Sequence, residues 1–497
     1  MLKRRALGHA SVLTWPCVLV ATALSVLLAL CLAVPARAGA ARRGRCATVS
    51  GTTRQRPSAS VARALRSGRS FVGNHIELCG DLDLADAVVG GVLECRACVI
   101  AGTLAADDAH FEEAVDLSGT HVLGRLSARA AQFDRPVSFN QLPRGRHSTV
   151  AGQADFELAE FASVVTFRGT DFAGGARFDL ARFADDAIFD GTDFAKNASF
   201  RAARFAKRAG FVGETTQFLR QADFDSASFA GSAAFSQADF EGPADFNNAV
   251  FFDGGQFVGT TFAKATFEYL RATSLDFTAV EPDLVDFSYG SAQSVNFRDA
   301  IFSPNGLELQ HVAIADLDLA VADVRYVAGD RLAALQLIEQ SAKNRGDLAV
   351  ANDAHYQEDV MASNKDDAFV HILDVVFYRW VAGYLVRPLH PVVALLLLIL
   401  AAGIFRSSLR RLRRPRGARS AGPLWRRAAT GVGRTGNALF DTVQAILPGD
   451  KPLPSQEGWL FLVRFETFVY RVLAACILIG LANSNPTLRQ VLSALHI

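Results

Sequence analysis

The chain has 497 residues, enough for more than one domain, and its 51 basic and 50 acidic side chains leave a formal net charge of +1. That balance excludes the global basic signature of a nucleic-acid binder. Phe occurs 37 times against 2 Met and 7 Tyr, a skew that points to a repeat and away from an enzyme with varied loops.

In chain order, residues 1–38 read as a signal peptide or an N-terminal membrane anchor. A basic start, "LKRR", precedes an apolar run at about 12–34, and "ARA" at 36–38 precedes Gly39. The run is long enough to stay in a bilayer if it is not cleaved. Either outcome places the following residues outside the cytoplasm. Residues 39–71 read as a linker with a capping helix in "SASVARALR", Ser58–Arg66.

From Phe167 the aromatic positions fall at Phe172, Phe178, Phe183, Phe189, Phe194, Phe200 and Phe205, in alternating steps of five and six. Such steps match neither one helix face nor the alternation of a strand. The beat slips by one residue at "ETTQF", resumes at Phe224, and becomes a plain five beyond Phe262. Toward the N-terminus "NQLPRGRHSTVAGQAD" breaks the register at about 140–155, and units with other apolar residues follow. The repeat therefore spans about 72–320. A small residue often stands two before the beat, as at Ala154, Ala222, Ala238 and Ala244, and Asp often stands just before it.

These "ADF" units resemble the pentapeptide-repeat family, whose unit is Ala-(Asp/Asn)-(Leu/Phe)-x-x, in a Phe-rich branch of alternating five and six. The resemblance implies a mainly β fold: a right-handed quadrilateral β-helix. Phe167, Phe172, Phe178, Phe183, Phe189, Phe194, Phe200 and Phe205 then form its core, with the small residues beside them. Coils of roughly 20–22 residues stacked at about 4.8 Å give about eleven coils and a rod on the order of 50 Å. Arg168, Arg177, Asp179, Arg182, Asp185 and Asp186 fall on the outer faces.

Cys46, Cys79, Cys95 and Cys98 are an even set in the exported part. Cys95 aligns with Leu84, Ala106 and Leu117, and Cys98 with Ala109, so both read as small core residues rather than metal ligands. A disulfide between Cys46 and Cys79 would staple the N-terminal cap.

Residues 325–365 read as a helical hairpin, with Leu332, Leu335, Leu337 and Ile338 at helical spacing and Gly346 of "RGD" as the stop. Residues 369–405 read as an amphipathic helix followed by a transmembrane helix, with Tyr378, Trp380 and Tyr384 as interfacial aromatics. The loop 406–427 has nine Arg and no acidic residue, which reads as a cytoplasmic loop beside anionic lipid rather than a nucleic-acid site. Residues 428–497 read as a pore-like or re-entrant segment, a second transmembrane helix around "VLAACILIGLA" and a tail; Arg464, Glu466 and Arg471 precede that core. The order of parts resembles pentapeptide-repeat proteins that end in a two-helix potassium-channel-like module. Two features depart from it. "ILPGDK" stands where that family has Thr-Val-Gly-Tyr-Gly, and nine Arg place the loop inside.

No catalytic, cofactor or metal motif appears, and His75, His110 and His121 fall at outward or corner positions. The sequence therefore predicts a non-enzymatic, membrane-anchored scaffold or binding module with no cofactor. Its expected partners are membrane lipid and a protein or cell-envelope component, with no nucleic acid. The rod is expected outside the cytoplasm and the basic loop inside. An ion-channel-like protein with a β-helical accessory domain is the alternative. A DNA-mimic that binds topoisomerase is a third reading: residues 156–302 carry 21 acidic and 12 basic side chains, but export separates such a mimic from its target.

Overall fold

The computed structural model describes residues 54–143, 145–363, 389–412 and 457–484. The expected signal or anchor, Cys46, the aromatic belt at 378–384, the basic loop beyond Leu412 and the pore-like segment lie outside the described residues.

A β-solenoid fills most of the described chain. Its strands are mostly two residues long and pair in parallel, coil upon coil. The pairings form four ladders in two sheets. One ladder runs from Leu82–Asp83 to Val327–Ala328 through twelve strands. At about 4.8 Å per coil, eleven intervals make a rod of about 50 Å, one coil more than the sequence suggested.

The period is 22 residues where Ala154 pairs with Ala176 and Ala176 with Ala198. It falls to 20 where Phe262 pairs with Pro282, which follows from the change to plain five-residue steps. Between Phe194 and Phe218 it is 24. "ETTQF" thus adds two residues to its coil, not one.

The beat residues point inward as four columns of stacked rings. Phe167, Phe189 and Phe211 form one column, and Phe156, Phe178 and Phe200 another. Phe161, Phe183 and Phe205 form the third, and Phe172 and Phe194 belong to the fourth. Centroids in a column lie 4.7–5.4 Å apart, the coil spacing itself. Neighbouring columns meet edge to face, as Phe189 meets Phe200 at 5.3 Å and 85°, the arrangement that the ring quadrupole favours. All eight Phe from Phe167 to Phe205 named above are at most 1% exposed.

Corners are turned by residues in the left-handed region. One corner column has Leu158, Leu180, Ala202 and Ser226 at φ 53–61°. For a residue with a Cβ this costs about 1–2 kcal/mol. Each such corner donates its N–H to the carbonyl of the next coil, as Leu180 does to Arg201 at 2.8 Å and Ala202 to Asp225 at 2.8 Å. The Asp of the unit also serves the turn: Asp223 accepts from the N–H of Asp225 at 3.0 Å and Asp245 from that of Asn247 at 3.0 Å.

The break in the repeat is shorter than 140–155. Ser148–Val150 already pairs with Thr170–Phe172, and the offset from Val122 to Val150 is 28, six residues above the usual 22. The insertion closes as a small loop with Leu142 bridged to Arg146. The Arg146 guanidinium donates to Ala97 O at 2.8 Å and Gly119 O at 3.1 Å, so it binds corners of two earlier coils.

Both rod ends are covered, as exposed strand edges require. Helix α1, Ser58–Arg66, buries Val61, Ala62 and Leu65. At the other end α2, Arg331–Arg345, and α3, Leu348–Ser363, form the expected hairpin. Asp330 caps α2 by accepting from the N–H groups of Leu332 and Ala333, and Gly346 ends it at φ 78°. Leu335 and Ile338 continue the solenoid core.

Helix α4, Leu389–Leu412, and helix α5, Glu457–Ser484, follow and pack on one another. Among the described residues no helix is long and apolar enough to cross a membrane. The uninterrupted apolar stretch 391–405 covers about 22 Å at 1.5 Å per residue, short of the roughly 30 Å of a bilayer core.

Candidate functional site

The rod presents its outer faces and an open surface groove. Its outward ladder positions hold the charged residues of the repeat, and these mostly meet each other across coils. Arg177 lies 3.0 Å from Glu157 and 3.1 Å from Asp179. Arg168 lies 3.3 Å from Asp190, Arg182 lies 3.0 Å from Glu160, and Lys207 lies 2.9 Å from Asp185. The outer charges singled out in the sequence are therefore largely coil-to-coil partners. Exposed pairs of this kind each contribute little to stability.

One shallow groove of about 650 Å³ lies on this surface, lined by Gly174, Gly175, Arg177, Asn197, Ser199, Arg201 and Asp223 among others. It exists because two glycines remove side chains at a corner. Gly175 has φ 90°, and a Cβ on Gly174 would stand 2.2 Å from the carbonyl carbon of Gly152. Burial pushes the Asp223 carboxyl above its usual range, against the pull of Arg201. The groove is polar and open, and within it the Ser199 hydroxyl donates to the Asp179 carboxylate, which also accepts from the N–H of Arg201.

A second surface feature surrounds the insertion. His121, read from the sequence as an outward or corner position, is half-buried, with Nδ1 2.8 Å from Thr149 Oγ1. Burial lowers its pKa, and Arg146 and His147 add to that. Nearby, His147 Nδ1 stands 3.6 Å from Asp171. Burial raises Asp171 and, one coil on, Asp193; Asp193 Oδ1 is buried without a hydrogen bond. His110 pairs with Asp134 at 2.9 Å.

The cysteines need a correction. Cys95 and Cys98 both face the core at 0% exposure, but they are joined as a disulfide with Cα atoms 5.6 Å apart. They sit on either side of Ala97, a left-handed corner with φ 52°. The turn folds the beat position and the small position toward each other. Cys79 is also disulfide-bonded; Cys46, its expected partner, lies outside the described residues.

Sequence reading missed two further features. A column of buried hydroxyls lines one inner corner: Thr170 donates to Phe139 O at 2.6 Å, Thr192 to Phe167 O at 2.9 Å and Thr260 to Phe235 O at 2.8 Å. The signal was the recurrent "GT" in "RGTDF", "DGTDF" and "VGTTF". The other is a set of metal-ligand type, Glu339, His355 and Glu358, on the α2–α3 hairpin.

Four parallel ladders, a 22-residue coil and inward Ala and Phe define a β-solenoid. A family model described as pentapeptide repeats (9 copies) matches residues 146–193, beginning where the insertion ends. No curated protein matches the chain. The described helices add nothing to the likeness to a two-helix channel.

Proposed function

We propose that this chain is a non-enzymatic, membrane-attached scaffold whose pentapeptide-repeat rod presents its faces to a protein or cell-envelope partner outside the cytoplasm. The observation that carries attachment is the stripe of large apolar side chains exposed on α4 and α5. Val393, Leu396, Leu397 and Leu400 line α4, and Phe468, Val472 and Leu478 stand out from α5. A soluble chain would bury such a stripe. The apolar stretch of α4 fits insertion into one side of the bilayer.

Two further features favour the non-cytoplasmic side for the rod. The Cys95–Cys98 disulfide and the bonded Cys79 suit an oxidising compartment. The stretch 406–427, with nine Arg and no acidic residue in its sequence, suits the cytoplasmic face. The polar, cavity-poor rod surface favours binding over catalysis.

The test is membrane fractionation of cells expressing the full chain, followed by protease treatment of intact cells. The reading expects the chain to stay with membranes after a high-salt wash and the rod to be cut only when protease reaches the outer face. Release by salt would overturn attachment. Protection of the rod in intact cells would overturn its placement and favour the cytoplasmic, topoisomerase-binding reading.

A further inference from the structure

We propose that Glu339, His355 and Glu358 bind one divalent transition-metal ion of the zinc class, which ties α2 to α3 at the C-terminal end of the rod. Glu339 comes from α2; His355 and Glu358 come from α3 at i and i+3, hence from one face of that helix. One ligand atom from each residue lies within 4.8 Å of the other two, and all three residues are half-buried. The Glu339 side chain is only 14% exposed.

The state of His355 is the second, separate observation. Its Nδ1 is buried and makes no hydrogen bond, although the side chain as a whole is 41% exposed and Glu339 Oε1 stands at ion-pair distance, 3.4 Å away. A buried polar atom without a hydrogen bond is costly, and a metal ion between Nδ1 and the two carboxylates removes that cost. The other ring nitrogen, Nε2, faces the Asp359 carboxylate at 3.6 Å. Metal-bound imidazoles have such a carboxylate behind them, where it fixes the ring and raises its basicity.

Two more polar groups touch the set. Lys343 Nζ lies 2.5 Å from Glu339 Oε1, and Gln336 Nε2 donates to Glu358 Oε1 at 2.8 Å. The ammonium competes with an ion for Glu339; it is on a half-exposed, flexible side chain and can swing away. Two carboxylates and a neutral imidazole carry two negative charges, which a divalent ion balances. The mixed nitrogen and oxygen donors suit zinc or cobalt rather than calcium or magnesium, which take oxygen shells. The competing account is a protonated His355 held by Glu339 and Asp359, which binds no metal.

The experiment is a titration of the metal-stripped full chain with Co²⁺, followed by visible absorption, and with Zn²⁺, followed by calorimetry. One ion per chain is expected. His355→Ala and Glu339→Gln are each expected to weaken binding by more than about tenfold, and Asp359→Asn by about tenfold, with helix content by circular dichroism unchanged. Lys343→Ala is expected to tighten binding, because it removes the competitor; a purely structural ion-pair network predicts no such gain. No cobalt absorption, an unchanged affinity in folded His355→Ala, or weaker binding in Lys343→Ala would each overturn the assignment. Membrane attachment plays no part in this result.

Discussion

Phe189 shows what one residue does in this fold. It stacks on Phe167 at 5.1 Å and Phe211 at 4.8 Å, and it meets the edges of Phe178 and Phe200 at 5.3 Å. The rings around it are held by their own columns, so a cavity there cannot collapse. Phe189→Ala should therefore lie at the costly end for a core aromatic, about 3–5 kcal/mol, measured by denaturant unfolding. A loss under about 1 kcal/mol would mean that the rings are not packed as columns. Asp193 makes the opposite case, a residue that weakens the rod at neutral pH. Burial raises its pKa above the ordinary 3.8, so the folded state holds the proton more tightly than the unfolded chain does. Stability linked to this group must then rise as pH falls through the folded value toward 3.8, and be lower at neutral pH. Asp193→Asn is expected to raise the melting temperature at pH 7 and to have a smaller effect near pH 4. An equal shift at both pH values would remove the carboxyl charge as the cause.

At the scale of the element, the corner decides what the sequence can specify. The glycine column Gly102, Gly124, Gly152 and Gly174 brings backbones so close that a Cβ at Gly174 would meet Gly152 at 2.2 Å. Gly174→Ala should cost about 1–3 kcal/mol by overpacking and should widen the coil locally. Calorimetric melting of this variant against Gly175→Ala, where strain in φ dominates instead, tests both contributions. The beat of the repeat was legible because each five-residue side is a local object and its inward position recurs in the sequence. The Phe core and both caps followed from that. The disulfide was not legible, since alignment showed only that Cys95 and Cys98 both face inward. That they face each other depends on the left-handed Ala97 between them, which no composition reveals. The insertion was read too long for a related reason: Ser148 and Val150 lack the Phe beat but still pair as rungs. Glu339 and His355 meet only because two helices fold back at Gly346, so their proximity is a tertiary fact.

For the whole molecule, the key property is that the rungs of each coil pair only with those of its neighbours, although the Arg146 side chain reaches back to Ala97 and Gly119. Stability should then follow the local filling of the core along the rod. The central coils, with Phe in all four columns, should open last. The N-terminal coils are filled by Leu78, Leu82, Val89, Leu93 and Ile100, which bury less area per rung; they depend on α1 and the Cys95–Cys98 link. The C-terminal coils mix Phe with Val285, Val295 and Leu317 and depend on the α2–α3 hairpin. Native-state hydrogen exchange should therefore be slowest between about 156 and 262 and faster toward both ends. In Phe189→Ala the protected block should split, with exchange speeding up in the coils at 167–211 while the N-terminal coils near Cys95 keep their rates. Uniform acceleration along the whole rod would mean a single cooperative unit, and a perturbation at one face would then reach both caps.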